Sequence, residues 1–177
     1  LFLICQFLYF ITNLESEVSM ETVKKEKTCK ELVHQKFDDI EQSYIEAFKY
    51  YDLDEEQRYT PQDESLTSYD DIFEYCNNTG LSWDFVERET FEGQTRPYFR
   101  FQLSWGGPSD EFRIYVNYDQ SIDYIEYWYM DWFDGASVDV PYDSKSYEVC
   151  SMFLDCEDKK DPSELIELEE DSEEEDE

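Results

Sequence analysis

Two runs of strict alternation, joined by a turn, constrain this chain more than any other feature. Phe99, Phe101, Leu103 and Trp105 alternate with Arg100, Gln102 and Ser104; Phe112, Ile114, Val116 and Tyr118 alternate with Arg113, Tyr115 and Asn117. Successive side chains of a strand point to opposite faces, so this pattern predicts two strands, each with one apolar face. Gly106-Gly107-Pro108-Ser109-Asp110 between them is a strong hairpin signal. Leu81, Trp83 and Phe85, alternating with Ser82, Asp84 and Val86, predict an edge strand over 81–91. Residues 122–133 (IDYIEYWYMDWF) alternate less cleanly, as a strand buried on both faces would. Asp119-Gln120-Ser121 and Asp134-Gly135 mark the next turns, and 137–140 offers a short fifth strand.

Helical spacing brackets this meander. Val33, Phe37, Ile40, Tyr44, Phe48 and Tyr51 form a stripe that predicts a helix over 29–53. Acids crowd its C-terminal end, where they oppose the helix dipole, so a stop near Tyr51 is the alternative. Residues 58–68 read as a loop. Thr67 or Ser68 is positioned to cap a short helix through Ile72, Phe73 and Cys76, which Gly80 ends. Asp143 or Ser144 is positioned to cap a last helix carrying Tyr147, Cys150, Phe153 and Leu154 on one face. The expected fold is α+β: a four- to five-stranded antiparallel meander with N-terminal and C-terminal helices packed on one face.

Charge restricts what such a domain can do. Forty-six acids face fourteen bases, a formal net charge of −32. Residues 20–156 carry −19 and residues 157–177 carry −11. An excess this large disfavours the compact state through self-repulsion, which a basic partner would offset. The 18% aromatic content marks 20–156 as a folded acidic domain, because disordered acidic chains are poor in rings. The block ELEEDSEEEDE reads as a disordered acidic tail over 157–177. Direct nucleic-acid binding is disfavoured for want of phosphate-neutralising cations, and anionic membranes are disfavoured for the same reason.

Residues 1–12 (LFLICQFLYFIT) are apolar but shorter than the roughly 20 residues that span a bilayer. Segment 1–19 reads as a non-core stretch of upstream translation before Met20, with a degraded signal or anchor and a packed segment as alternatives. Asn77-Asn78-Thr79 matches a glycosylation sequon, which matters only in a secreted chain.

No catalytic constellation stands out, and the expectation is a protein that is not an enzyme. GxGxxG, P-loop, HExxH and GxSxG patterns do not occur. The five cysteines, 5, 29, 76, 150 and 156, lack CxxC spacing and read as reduced thiols. His34 reads as an exposed rim residue. Neither a metal nor a cofactor is expected.

The candidate partner-binding residues are acids of the first helix and its end, Asp38, Asp39, Glu41, Glu46, Asp52, Asp54, Glu55 and Glu56. Glu126, Tyr127, Tyr129 and Asp131 join them from the aromatic strand, because exposed Tyr and Trp anchor interfaces. A small, tyrosine-rich, highly acidic domain without a catalytic motif resembles the phage- and plasmid-encoded DNA-mimic inhibitors of host defence, the antirestriction and anti-CRISPR proteins. The resemblance lies in overall character across 20–156. It implies a stoichiometric inhibitor, in the cytoplasm of a bacterial host, that blocks the DNA-binding surface of a nuclease or another basic DNA-binding protein. The alternative is an acidic chaperone or sequestering module for a basic protein. The edge strand over 81–91 offers a route to a homodimer.

Overall fold

The computed structural model describes residues 27–58, 61 and 64–156. The N-terminal segment 1–19 and the acidic tail 157–177 lie outside the described residues.

Helix α1 spans Cys29–Tyr51 and opens with a capping box: Glu31 N donates to Thr28 Oγ1 (3.3 Å) and Thr28 N donates to Glu31 Oε2 (2.9 Å). A second carboxylate reaches the same end from the sheet, where Cys29 N donates to Asp134 Oδ2 at 2.6 Å. The helix stops at Tyr51, with Asp52 as its C-cap. The acids beyond it cannot extend a helix whose C-terminal carbonyls already carry partial negative charge. The apolar stripe is buried along its length, with Val33, Phe37, Tyr44, Ala47 and Phe48 inside.

Two 3₁₀ turns, Glu55–Gln57 and Glu64–Ser68, lead to α2 at Ile72–Thr79. The cap of α2 is Asp71, whose Oδ1 accepts from Glu74 N at 2.8 Å. Thr67 and Ser68 belong to the preceding turn instead, and Thr67 Oγ1 donates back to Glu64 O there. Gly80 follows α2 at φ −82, so its backbone needs no glycine. Space demands one: a Cβ at Gly80 would lie 2.3 Å from the Phe101 ring, which is itself buried against Phe153.

Five strands follow, β1 Ser82–Val86, β2 Tyr98–Ser104, β3 Ser109–Val116, β4 Ile122–Asp131 and β5 Asp134–Asp139. They pair antiparallel in the order β1-β2-β3-β4-β5, an uninterrupted meander. Helix α3, Lys145–Cys156, closes the chain with Ser144 as its cap (Tyr147 N to Ser144 Oγ, 3.1 Å). The fold class is therefore the α+β meander that the alternation predicts.

Register fixes which residues enter the core. Phe99 pairs with Ile114 and Phe101 with Phe112; Ile114 pairs with Ile125 and Phe112 with Tyr127. All six are at most 3% exposed. Helix α1 lies over β4 and β5, while Phe153 of α3 stacks on Trp83 and Phe101 of β1 and β2. All of these core side chains project to one face of the sheet.

Three expectations change. β4 is not buried on both faces: Ile125, Tyr127 and Tyr129 point inward while Tyr124, Glu126, Trp128 and Met130 point outward, a regular alternation hidden by rings on both sides. β1 ends at Val86 rather than 91, so the free edge offered to a second copy is short, and Phe91 sits in the following loop. β5 begins at Asp134, because the β4–β5 turn is only Trp132 and Phe133.

Candidate functional site: an acidic end and an arginine–aromatic trough

The helix expected to carry the charge carries little of it. α1 holds five acids and three lysines over 23 residues, a net −2. A helix of that length is about 34 Å long, over which duplex DNA would present roughly 20 charges. Asp38 and Asp39 are exposed. Glu41 is spent inside the fold: its Oε1 accepts from Lys145 N (2.8 Å), and its Oε2 accepts from Ser146 N (2.8 Å) and Ser146 Oγ (2.6 Å). It caps α3 from another helix and is corrected from partner contact to structural acceptor. Glu46 is half-buried and also engaged within the fold.

The acid concentrates where α1 ends. Residues 52–74 contain nine acids and one base, Arg58, a net −8. Asp52, Asp54, Glu56, Glu64, Asp70, Asp71 and Glu74 are all exposed; the Glu55 side chain lies outside the described residues. Tyrosines hold this end in place. Tyr51 donates its hydroxyl to Leu66 O at 2.8 Å, and its ring meets Tyr75, which in turn meets Tyr69. The Arg58 guanidinium lies 5.2 Å from the Tyr50 ring centre and 5.5 Å from that of Tyr51. Burial pushes the Tyr51 hydroxyl up to about 12. The described part of the connector is thus tied back onto the C-terminal end of α1.

Two of the aromatic-strand residues are also corrected. Tyr127 and Tyr129 are 0% and 7% exposed on the helix-covered face, so no partner reaches them. Tyr127 donates to Asp110 Oδ2 at 2.8 Å, and burial holds its hydroxyl far above its ordinary value. Glu126 lies on the opposite face, where its Oε2 accepts from Trp128 Nε1 at 2.9 Å. Asp131 closes β4 and pairs with Asp134 across the β4–β5 hairpin.

The outward face of the sheet holds what the charge count conceals. Three of the chain's five arginines, Arg96, Arg100 and Arg113, and three of its four tryptophans, Trp105, Trp128 and Trp132, line one trough of about 970 Å³. The register arranges its floor in rows. Tyr115 pairs with Tyr124, the rings stacked at 4.4 Å, and Tyr98 abuts Tyr115 at 5.5 Å. The next row crosses four strands as Asp84, Arg100, Arg113 and Glu126. Beyond it lie Gln102, Glu111 and Trp128.

Each guanidinium of the trough has a carboxylate. Arg100 forks onto Asp84 (3.0 and 2.9 Å), Arg113 Nε donates to Glu111 Oε1 (2.7 Å), and Arg96 pairs with Asp123 (2.9 Å). Arg113 is also sandwiched between rings, 4.1 Å from the Trp128 centre and 5.0 Å from that of Tyr98. At one end the loop after β1 is tied by Gln94, whose Nε2 donates to Glu87 O and Arg96 O. At the other end stand Trp105 and Trp132, 78% and 85% exposed. The Trp132 indole packs so near Gly107 that a Cβ there would lie 3.1 Å from its Nε1. Sequence reasoning passed over these arginines. The signal was available, since Arg100 and Arg113 occupy the polar phase of two alternating strands.

The remaining candidates behave as ordinary residues. Cys29, Cys76 and Cys150 are buried free thiols, and burial pushes Cys76 up to about 12 and Cys150 well above its ordinary range. His34 and Asn77 are exposed on helices. Among the described residues no group of three or more His, Cys, Asp or Glu is placed to hold a metal ion, and no helix is long and apolar enough to cross a membrane. Comparison of the chain with protein-family models, curated proteins and solved structures returns no match.

Proposed function

We propose that this chain is a non-catalytic binding protein whose acidic end occupies the basic, DNA-binding surface of another protein, such as a nuclease, as a stoichiometric competitor of DNA. The observation that carries this reading is the set of exposed carboxylates Asp52, Asp54, Glu56, Glu64, Asp70, Asp71 and Glu74, beside the contacts of Tyr51 with Leu66 and Tyr75 and of Arg58 with Tyr51. Charges fixed in place need no reordering on contact, so they retain more of their Coulombic attraction than charges on a floppy chain. The field of the whole molecule steers the encounter.

The test is capture of partners from bacterial lysate by the full chain, followed by displacement with duplex DNA. Replacing Asp52, Asp54 and Glu56 by Lys is expected to weaken capture at least about tenfold, since each rim charge contributes on the order of 0.5–1 kcal/mol. Asp52 caps α1 through its backbone N–H, which the substitution keeps, and Lys beside the C-terminus of α1 suits its dipole. Binding should fall steeply with salt. If the triple variant binds as before while removal of residues 157–177 abolishes capture, the acidic chaperone or sequestering reading replaces mimicry.

A further inference from the structure

We propose that the trough on the open face of the sheet is a binding site for an uncharged oligosaccharide. This inference is independent of the acidic end, which lies elsewhere on the molecule.

Charge disfavours polyionic ligands from two directions. Residues 27–156 carry a net −19, so a nucleic acid or another polyanion meets repulsion before it reaches the trough. The floor carboxylates Asp84, Glu111 and Asp123 are already paired with Arg100, Arg113 and Arg96, so they are not free to hold a lysine- or arginine-rich peptide. Each guanidinium is neutralised by a carboxylate within 3.0 Å, which leaves no unpaired cation to hold a small anion.

What remains is a floor of fixed donors beside fixed acceptors. Guanidinium N–H groups only donate and carboxylates only accept. A sugar hydroxyl does both, and neighbouring hydroxyls on a ring match such alternating pairs. The ion pairs hold the guanidiniums in place, so little side-chain entropy is lost on binding. The aromatic component fits as well. Trp105 and Trp132, 78% and 85% exposed, line the trough, and the apolar C–H face of a pyranose stacks on an indole. The volume of about 970 Å³ sits at the upper end of the roughly 300–1,000 Å³ typical of small-ligand sites. Along β2 the trough is lined from Arg100 to Trp105, about 17 Å at strand rise, which suits a short linear chain of sugars. Its turn comes from the stretch 101–112 (FQLSWGGPSDEF), whose Trp105, Gly106, Gly107 and Ser109 line the trough although the acidic end has no use for them.

The experiment is a calorimetric and tryptophan-fluorescence titration of the full chain with a panel of neutral tetrasaccharides of glucose, N-acetylglucosamine, mannose and galactose. At least one is expected to bind, with an affinity changed less than about twofold between 50 and 500 mM salt. Trp132→Ala is expected to lower that affinity about tenfold, with an unchanged thermal melt because the ring is 85% exposed. Arg100→Leu supplies a second check on the floor. If no member of the panel binds at millimolar concentration, the proposal is wrong. It is equally overturned if binding collapses with salt, or if it survives both Trp132→Ala and Arg100→Leu.

Discussion

Arg100 and Arg113 stand directly opposite each other across β2 and β3. Like charges in that position destabilise a sheet. Here carboxylates flank them: Asp84 opposes Arg100 from β1, and Glu126 opposes Arg113 from β4. Glu111, 3% exposed, bonds Arg113 at 2.7 Å and lies 4.0 Å from Arg100. It is the deepest of these acids and the one that touches both cations. Glu111→Gln is therefore expected to cost about 2–3 kcal/mol, somewhat below the 3–5 typical of breaking a fully buried pair because the arginines keep some water. Urea denaturation measures it. Combining Glu111→Leu with Arg113→Met should recover most of the loss, since no uncompensated charge then remains; a double variant as weak as the single one would refute the pairing account.

Glu41 offers a cleaner contrast between a structural and a functional acid. Its carboxylate satisfies two N-terminal N–H groups of α3 and the Ser146 hydroxyl. Those donors are otherwise unpaired within the helix. Glu41→Ala is expected to destabilise the domain by about 2 kcal/mol, the upper range for loss of a helix cap, and to leave partner capture unchanged. A variant that keeps its urea midpoint but loses its partner would place Glu41 back on the binding surface.

The difference between Glu41 and Asp39 marks the limit of what could be read from the chain. Strand phase and helix stripe depend on neighbours a few residues away, so the hairpin Tyr98–Val116 and helix α1 are visible in the sequence. The use to which a carboxylate is put depends on residues a hundred positions distant. Glu41 meets Ser146, and Asp134 meets Cys29, only after folding. β4 shows the same limit in another form. Its rings alternate in burial but not in hydropathy, so Tyr127 and Trp128 look alike until α1 covers one of them. The trough was hidden for a third reason: its arginines vanish in a chain of net charge −32 unless their strand phase is followed.

Alkaline pH should unfold the domain early. Burial pushes Tyr98 and Cys76 up to about 12, and it holds Tyr44 and Tyr127 well above their ordinary values. In the unfolded chain a thiol ionises near 8.5 and a phenol near 10. The folded state therefore binds more protons than the unfolded state across that window. The stabilisation is complete below about pH 8.5 and is lost progressively as pH rises toward 12 and beyond. Urea midpoints taken from pH 8 to 11 should fall with increasing slope. Tyrosinate absorbance at 295 nm should rise cooperatively with unfolding for these rings. A gradual rise in a still-folded protein would show that water reaches them.

Trp132 separates stability from binding. It sits at φ +52 as the first residue of the two-residue β4–β5 turn, while Phe133 after it does not take positive φ. That sign pattern belongs to a type II′ turn, in which glycine is preferred at the first position. An L-residue there costs about 1–2 kcal/mol. The Trp132 ring recovers little of that by burial, being 85% exposed. Trp132→Gly is accordingly expected to raise stability by about 0.5–1 kcal/mol, after allowance for the greater unfolded-state entropy of glycine. The same change removes the indole that walls the trough and should lower oligosaccharide affinity about tenfold. The two effects have opposite signs, and a thermal melt beside a titration reads both. A loss of stability on Trp132→Gly would mean that the contact of the indole with the Gly107 turn outweighs the backbone strain, and the ring would then be a structural clasp between two hairpins.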